Sequence, residues 1–269
     1  PSHEYLGMSA GLDFETRILV KERAPELLRQ ELSKKSWKPQ VLAMSGVTDC
    51  YQPVERIRQL TRRCLAVLAE FRNPVVIITK NHLVTRDIDL LAELARFNAV
   101  SVTLSVTTLD GELAKKLEPR ASSPTRRLAA IRELSAAGIP VRVLMAPVIP
   151  GLTDHEMPAL LQACAKAGAQ DAGCVPLRLP WAVAPLFEDW LQRHAPGAKE
   201  KVLGRIRAMR GGKLYDSRWG VRMTGEGFYA EQIQALFKVA RLRAGFPGKG
   251  PPLSTASFRR SSDQLELFT

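Results

Sequence analysis

The run Val75-Val76-Ile77-Ile78-Thr79-Lys80 is apolar for its first four residues and then ends in a hydroxyl and an ammonium group. A continuous apolar run of this kind is typical of a strand that is buried on both faces, as in a parallel sheet. Similar runs occur at Val41–Ser45, Val100–Ser105 and Val141–Ala146, with helical patterns between them. This alternation predicts an α/β fold with parallel strands and with helices outside the sheet.

Further elements are expected on both sides of these runs. The patterns predict helices at Ala24–Lys34, Pro53–Phe71, Asp87–Phe97, Thr125–Ala137, Asp154–Ala167, Ala184–His194, Lys199–Met209 and Glu226–Ala244. They also predict a short strand at Ile18–Val20, a weaker strand at Gly173–Leu179 and a loop or hairpin at Asp216–Gly225.

The composition is that of a globular chain that buries a core. The 269 residues are 45% apolar, and charged residues interrupt every hydrophobic segment before it reaches the ~20 residues of a membrane helix. The start, Pro1–Tyr5, shows no basic region followed by an apolar one, so no signal peptide is visible. We therefore expect a cytoplasmic protein without a membrane partner.

The charge balance leaves two interpretations open. The formal net charge is +12, and lysine and arginine are spread along the chain. Such charge either keeps a protein dissolved or favours contact with phosphates. The last third slightly favours a nucleic-acid partner because it contains Arg205, Arg207, Arg210, Arg218, Arg222, Arg241 and Arg243.

The cysteines and histidines predict no metal site within this chain. Cys50, Cys64, Cys164 and Cys174 lack the two- to four-residue spacing of zinc or iron–sulfur ligands. Cys64 and Cys164 fall within apolar helical patterns, which favours buried free thiols. The four histidines form neither a cluster nor a pair four residues apart.

Polar groups follow the predicted strands at their carboxyl ends, where parallel α/β sheets bind their ligands. The groups expected to face one another there are Thr48, Asp49, Lys80, Ser105 and Ala146. Lys80 suits a carboxylate, a phosphate or a Schiff base, unless it is a solvated strand-end lysine. Ser105 could share the same anion, and the carbonyl of Ala146 could meet a flat ring.

Two connections carry further candidates. The loop from Ser45 to Cys50 holds hydroxyls, a carboxylate and a thiol, so a ligand amine would find acceptors there, unless Thr48 and Asp49 only hold the turn. Glu118 and Arg120 either lie over the mouth of the site or form an ordinary surface ion pair.

The segments Ile78–Lys80, Leu117–Ser123, Arg127–Gly138 and Ala146-Pro147, in this order and at strand ends, carry a family resemblance. Together they resemble the radical S-adenosylmethionine superfamily, in the DNA-repair-photolyase-like branch related to spore photoproduct lyase. The likeness runs from about residue 12 to residue 150, and the region to about residue 246 resembles the C-terminal part of the same bacterial family.

The resemblance implies a role for each strand-end group. Lys80 and Ser105 would bind the methionyl carboxylate of S-adenosylmethionine, the loop hydroxyl would fall on Thr48 beside Asp49, and the carbonyl of Ala146 would meet adenine. Ser45 belongs to the same cofactor-binding loop. The resemblance also implies a [4Fe–4S] cluster and an electron donor such as flavodoxin or ferredoxin.

Two features depart from the family pattern. Members carry a Cys-x-x-x-Cys-x-x-Cys loop whose thiolates hold the cluster, and this chain has no such triplet. Pro1–Tyr5 resembles the sequence just after that loop, so we expect the first strand and the cluster ligands upstream and no radical chemistry from this chain alone.

The hydrogen-donating cysteine of spore photoproduct lyase falls at about Gly46. Cys50, four residues on, is the candidate catalytic replacement, although its thiol would point at a different atom, so thymine-dimer repair is not the expected activity.

We therefore predict a partial (β/α)6 TIM-like barrel that lacks its first strand and carries a helical C-terminal extension. The barrel is predicted over residues 1–211, a hairpin and helix over 212–245 and a flexible tail over 246–269. The intact enzyme would cleave S-adenosylmethionine reductively to a 5′-deoxyadenosyl radical, with nucleic acid among the candidate substrates. Two alternatives stay open, a barrel lyase with a Schiff base on Lys80 and a non-catalytic basic nucleic-acid-binding protein.

Overall fold

Five parallel strands form one sheet in the computed structural model, which describes residues 6–9, 11, 13, 16–45, 48–246 and 252–260. In chain order the strands are β1 (Leu42–Met44), β2 (Val75–Thr79), β3 (Val100–Ser105), β4 (Val141–Val148) and β5 (Asp171–Pro176). The α-helices are α1 (Ala24–Ser33), α2 (Glu55–Arg58), α3 (Leu60–Phe71), α4 (Ile88–Ala95), α5 (Gly111–Leu117), α6 (Pro124–Ala136), α7 (Met157–Lys166), α8 (Val183–His194), α9 (Lys199–Ala208), α10 (Val221–Thr224) and α11 (Phe228–Arg243). This architecture confirms the predicted α/β class and partial barrel.

The strands pair in register along the sheet. Val75 lies opposite Val100, and Val102 lies opposite Val141. All six residues of β3 are buried, as the continuous apolar pattern of a central parallel strand predicts. Because all five strands run the same way, their carboxyl ends share one edge of the sheet, and the loops that follow them meet there.

The main core lies between the sheet and the helices that cover it. Leu65, Leu91 and Leu134, from α3, α4 and α6, are completely buried. The α11 helix adds Ile233 and Ala240 to this core. A second, smaller cluster lies between α8 and α9 and includes Leu191, Val202 and Leu203. Among the described residues, none of the helices has the length and apolar character needed to cross a membrane.

The structure corrects two sequence predictions. Residues 18–20 form no strand, and Leu19 is 62% exposed. A run of only three apolar residues does not specify which strand it pairs with or in which register, so this run did not have to form a strand or become buried. The predicted loop or hairpin at Asp216–Gly225 contains the short helix α10 rather than paired strands.

Residues 252–260, within the predicted tail, contact the rest of the chain. Ser254 N donates a hydrogen bond to the carbonyl of Asn98 at 2.9 Å, and the rings of Phe258 and Phe71 lie 6.2 Å apart. Residues 247–251 and 261–269 lie outside the described residues. The domain boundaries at residues 211 and 245 stay predictions.

Candidate functional site

A cleft of about 820 Å³ opens at the carboxyl ends of β1 and β2. Five polar residues singled out in the sequence line it: Thr48, Asp49, Lys80, Glu118 and Arg120. The apolar side chains of Ile18, Leu19 and Leu117 complete the lining named here. The size and the mixed lining suit a small organic ligand with a few polar groups.

Asp49 joins the loop after β1 to the end of β2. Its Oδ1 accepts hydrogen bonds from the Thr79 hydroxyl and from Tyr51 N, both at 2.8 Å. Its Oδ2 accepts a bond from Lys80 N at 2.8 Å and lies 3.0 Å from the same Thr79 hydroxyl. Since a carboxylate has about four lone-pair sites, donors of this chain occupy most of its capacity. Asp49 therefore fixes the loop that carries Thr48 against the strand end that carries Lys80.

Lys80 is held over the cleft by Glu118. The Lys80 ammonium pairs with Glu118 Oε1, and the Lys80 side chain keeps 32% of its surface exposed. Burial on its own raises the pKa of Glu118, but the charges of Lys80 and Arg127 outweigh it, so that the pKa lies below its ordinary value. Glu118 is thus a carboxylate between two cations at neutral pH.

Arg127 supports Glu118 from inside the protein. Its Nη2 donates to Glu118 Oε2 at 2.6 Å, its Nη1 donates to the carbonyl of Ser105 at 3.0 Å, and its Nε donates to the carbonyl of Ser122 at 2.7 Å. The residue is 2% exposed. A charge so deeply buried is tolerated because carboxylate and carbonyl oxygens surround it. Arg127 thereby ties the end of β3 to Glu118.

Thr107 extends the same network to β4. Its hydroxyl lies 3.0 Å from Glu118 Oε1 and 3.1 Å from the carbonyl oxygen of Ala146. One hydroxyl proton can serve only one of these acceptors at a time. The strand end at Ala146 is therefore connected to the cleft through Thr107 and Glu118.

A buried network holds the loop after β1 from below. The Tyr51 hydroxyl donates to Asp87 Oδ2 at 3.0 Å, and both residues are completely buried. Burial, followed by the charge of Asp87, raises the pKa of Tyr51 well above its ordinary value. Arg62 and Arg86 both contact Asp87, which balances its buried charge. The loop that carries Thr48 and Asp49 is thus fixed at both of its sides.

Cys50 and Ser45 face each other within this loop. The Ser45 hydroxyl accepts a hydrogen bond from Cys50 N at 3.1 Å. Burial raises the pKa of the Cys50 thiol to about 12, although the hydrogen bond with the Ser45 side chain acts to lower this pKa. Gly46, near which the resemblance would place the hydrogen-donating cysteine, lies outside the described residues. Cys50 packs against the main core and is absent from the described lining of the cleft.

The structure thus brings Thr48, Asp49 and Lys80 together directly, and reaches Ser105 and Ala146 through Arg127 and Thr107. The sequence analysis did not predict a role in the site for Arg127 or Thr107. A signal for Arg127 was present, because it shares a helical face with Ala130, Ile131 and Leu134, all of which are buried. A charged residue on an apolar helix face indicates a buried partner.

The described residues do not fit a metal cluster. No group of three or more histidine, cysteine, aspartate or glutamate side chains among them could hold a metal ion. Each of the four cysteines is a free thiol whose pKa burial raises, to about 12 for Cys50 and Cys164 and about 11 for Cys64 and Cys174. Metal ligation requires thiolates, which these surroundings disfavour.

Four of the seven arginines singled out in the last third contact groups within the chain. Arg205, Arg218 and Arg241 pair with carboxylates of Asp154, Asp216 and Asp171, respectively. Arg210 is 2% exposed and donates to the carbonyls of Val221 and Leu177 at 2.6 and 3.4 Å. These contacts hold α10 beside the segment that follows β5, on the same edge of the sheet as the cleft.

Comparison with protein families matches residues 8–164 of this chain to the Radical SAM superfamily. An uncharacterized protein of Mycobacterium bovis is 37% identical over 198 residues, which cover 73% of this chain and 58% of that protein. An uncharacterized protein of Methanocaldococcus jannaschii is 34% identical over 139 residues, which cover 52% of this chain and 50% of that protein. This chain thus spans less than two thirds of these curated relatives.

Solved structures show the same fold. A spore photoproduct lyase variant with bound AdoMet and dinucleoside spore photoproduct has a TM-score of 0.58 and 16% identity, covering 82% of this chain and 63% of that one. Spore photoproduct lyase complexed with dinucleoside spore photoproduct has a TM-score of 0.57 and 15% identity over the same shares. These matches confirm the predicted resemblance at the level of fold.

Proposed function

Because the chain belongs to the radical S-adenosylmethionine superfamily, we propose that its cleft binds S-adenosylmethionine. The observation that carries the proposal is the position of Lys80, whose partly exposed ammonium lies at the end of β2 and lines the cleft. A ligand carboxylate would approach the open side of this ammonium, while Glu118 holds the other side. Thr48, on the facing loop, would offer its hydroxyl to the same part of the ligand.

Asp49 contributes in two ways. Its carboxylate lines the cleft and so favours the ligand's ammonium and sulfonium charges. Its bonds to Tyr51, Thr79 and Lys80 also keep the two strand ends in place before a ligand arrives. The roles of Ser45, Ser105 and Ala146 in cofactor binding stay part of the proposal. Thr107, next to the Ala146 carbonyl, would orient that strand end toward an adenine ring.

Membership of the superfamily generally implies an iron–sulfur cluster as well. Since the described residues do not fit one, the proposal for this chain is limited to the binding of S-adenosylmethionine. For the intact protein we propose cluster ligands outside the described residues, reductive cleavage to a 5′-deoxyadenosyl radical and reduction by flavodoxin or ferredoxin. The Schiff-base alternative is less well supported, because it needs a neutral amine and Lys80 faces the Glu118 carboxylate.

Calorimetric titration with S-adenosylmethionine tests the binding. Lys80→Ala should weaken binding by about 10- to 100-fold, the value of one charge-assisted hydrogen bond. Lys115→Ala, which removes an exposed ammonium from α5, serves as the matched control and should bind like the wild type. Thermal unfolding of both variants shows whether the fold is intact. Equal binding by folded Lys80→Ala, or no binding by the wild type, would contradict the proposal.

A second measurement separates the cluster from the cleft. Anaerobic iron–sulfur reconstitution of this chain, beside a version extended upstream, is followed by absorbance near 400 nm and by 5′-deoxyadenosine release with dithionite. The rationale is that thiolates are the expected cluster ligands. A cluster only in the extended protein supports upstream ligands. No cluster in either protein would contradict them without affecting the result for Lys80.

For the substrate we propose nucleic acid, on the basis of three exposed aromatic side chains in the segments after β5, here called the rim: Trp181, Trp219 and Phe228. Trp219 is 85% exposed, and the Arg222 guanidinium lies 4.4 Å from the centre of its ring. Trp181 and Phe228 are 59% and 67% exposed. Exposed aromatic rings bind bases by stacking, independently of sequence, and a neighbouring arginine such as Arg222 adds a favourable charge. The solved spore photoproduct lyase of the same fold, which is complexed with a dinucleoside spore photoproduct, supports the same class of substrate.

Fluorescence anisotropy with a labelled single-stranded oligonucleotide tests this substrate class. Trp219→Ala should weaken binding by about 5- to 100-fold, the range for one stacked base. Leu242→Ala, which removes an exposed apolar side chain from α11, should not change it. Equal loss in both variants, or binding unaffected by Trp219→Ala, would remove the rim from the proposal.

A further inference from the structure

The segment of residues 252–260, here called the anchor, binds the chain at two helix ends. Arg259 N donates to the carbonyl of Phe71 and Arg259 Nε donates to the carbonyl of Glu70, both at 2.9 Å. These carbonyls end α3 and therefore lack partners within the helix. A guanidinium at a helix C-terminus also favourably meets the negative end of the helix dipole.

Arg260 makes the same kind of contact beyond α1. Its guanidinium donates to the carbonyls of Lys34, Lys35 and Trp37 at 3.4, 3.4 and 3.1 Å. Phe258, between the arginine contacts and the rest of the anchor, packs against the core at Phe71. Two arginines and one ring thus fix the chain up to residue 260.

The anchor lies at the edge of the sheet opposite the cleft. Its partners Trp37, Phe71 and Asn98 come just before β1, β2 and β3, whereas Lys80 follows β2. The length of a strand therefore separates the anchor from the ligand cleft. A molecule bound next to residue 260 would leave the cleft open.

The sequence after the anchor differs in character from the rest of the chain. Residues 261–269, outside the described part, contain two carboxylates and neither lysine nor arginine, in a chain of net charge +12. Within them, Gln264-Leu265-Glu266-Leu267-Phe268 places three large apolar side chains in four residues. Gln264 is four residues after Arg260, and a stretch of four residues spans at most ~14 Å at ~3.5 Å per residue.

We infer that residues 264–268 form a docking peptide for a partner protein, which the anchor presents on the face opposite the cleft. Leucine and phenylalanine side chains fill apolar pockets in peptide recognition, and the amide of Gln264 adds directional hydrogen bonds. Glu266 matches a basic rim. The partner is a protein with adjoining apolar pockets beside a polar wall, which is the chemistry of the peptide groove of bacterial DNA sliding clamps. The inference does not rest on the function proposed for the cleft.

The experiment measures equilibrium binding of the full chain to a purified bacterial sliding clamp. The double variant Leu267→Ala/Phe268→Ala should bind at least about tenfold more weakly than the wild type, as expected for interface anchors. Ser261→Ala/Ser262→Ala, which changes the same segment outside the peptide, should bind like the wild type. A synthetic peptide of residues 261–269 should displace the wild-type chain.

Two results would overturn the inference. One is no binding of the wild-type chain at ~100 μM, beyond the range of useful peptide affinities. The other is equal binding by the wild type and the Leu267→Ala/Phe268→Ala variant, which would place the contact elsewhere on the basic surface. Circular dichroism and thermal unfolding confirm that each variant is folded.

Discussion

Arg127 Nη2 lies 2.6 Å from Glu118 Oε2, and the arginine side chain is 2% exposed while the glutamate side chain is 11% exposed. The pair joins α6 to the segment after α5 and sets the position of the carboxylate that holds Lys80. Buried ion pairs are expensive to desolvate, so they are weak evidence of stability by themselves. Here the pair has a positional consequence, because it fixes a cation at the mouth of a cleft.

Replacing Arg127 should leave Glu118 buried beside a single cation. We expect Arg127→Met to lower the free energy of unfolding by about 3 kcal/mol, as for other broken buried pairs. Urea denaturation measures the loss. Arg126→Met, which changes the exposed neighbour on α6, should change it by less than about 0.5 kcal/mol. Equal stability of the two variants would show that Arg127 does not support the site energetically.

Glu118 should make stability depend on acid pH. Its folded-state pKa lies below the ordinary value of 4.5, because Lys80 and Arg127 outweigh the effect of burial. The unfolded state therefore binds a proton more readily, so this contribution to stability is complete above pH 4.5 and is lost as pH falls through the folded pKa.

Urea titrations between neutral pH and pH 3 test this dependence. The free energy of unfolding of Glu118→Gln should fall less steeply with acid than that of the wild type, whatever its value at neutral pH. Glu93→Gln, which changes an exposed carboxylate on α4, should keep the wild-type slope. Parallel curves for all three proteins would assign the acid sensitivity to other groups.

The strand ends of this site could be predicted from the sequence, but its internal contacts could not. Lys80 and the Thr48–Asp49 pair follow apolar runs, and parallel pairing alone places the ends of such runs on one edge. The pairing of Lys80 with Glu118 spans 38 residues and depends on the path of the connection after β3. No local pattern contains that information.

Residues 18–20 show the opposite failure. Their apolar character predicted a strand. In the structure Ile18 and Leu19 line the cleft and do not join the sheet. Apolar side chains serve ligand sites as well as cores, and a short run does not distinguish the two uses. Arg127 was the clearer signal, because a charge on an apolar helix face requires a buried partner wherever the helix packs.

The four cysteines should react slowly in the folded protein. Burial raises the pKa of their thiols from 9.0 to about 11 or 12, so the thiolate fraction at pH 8 falls by about 100- to 1000-fold. The rate of reaction with a chromogenic aromatic disulfide should fall accordingly, and 6 M guanidinium should expose all four thiols. Fast reaction of one thiol in the native protein, abolished by Cys50→Ala, would reveal a reactive Cys50 and contradict its burial.

The anchor should contribute to stability independently of any partner. Phe258 is partly buried, and its ring lies 6.2 Å from that of Phe71. Phe258→Ala removes this ring and loosens the arginine contacts that follow it, so we expect the free energy of unfolding to fall by about 1–2 kcal/mol. Thr255→Ala, at an exposed position of the same segment, should change it by less than about 0.5 kcal/mol. Thermal and urea unfolding of both variants measure the difference, and an unchanged Phe258→Ala would mean that residues 252–260 rest on the surface without stabilising it.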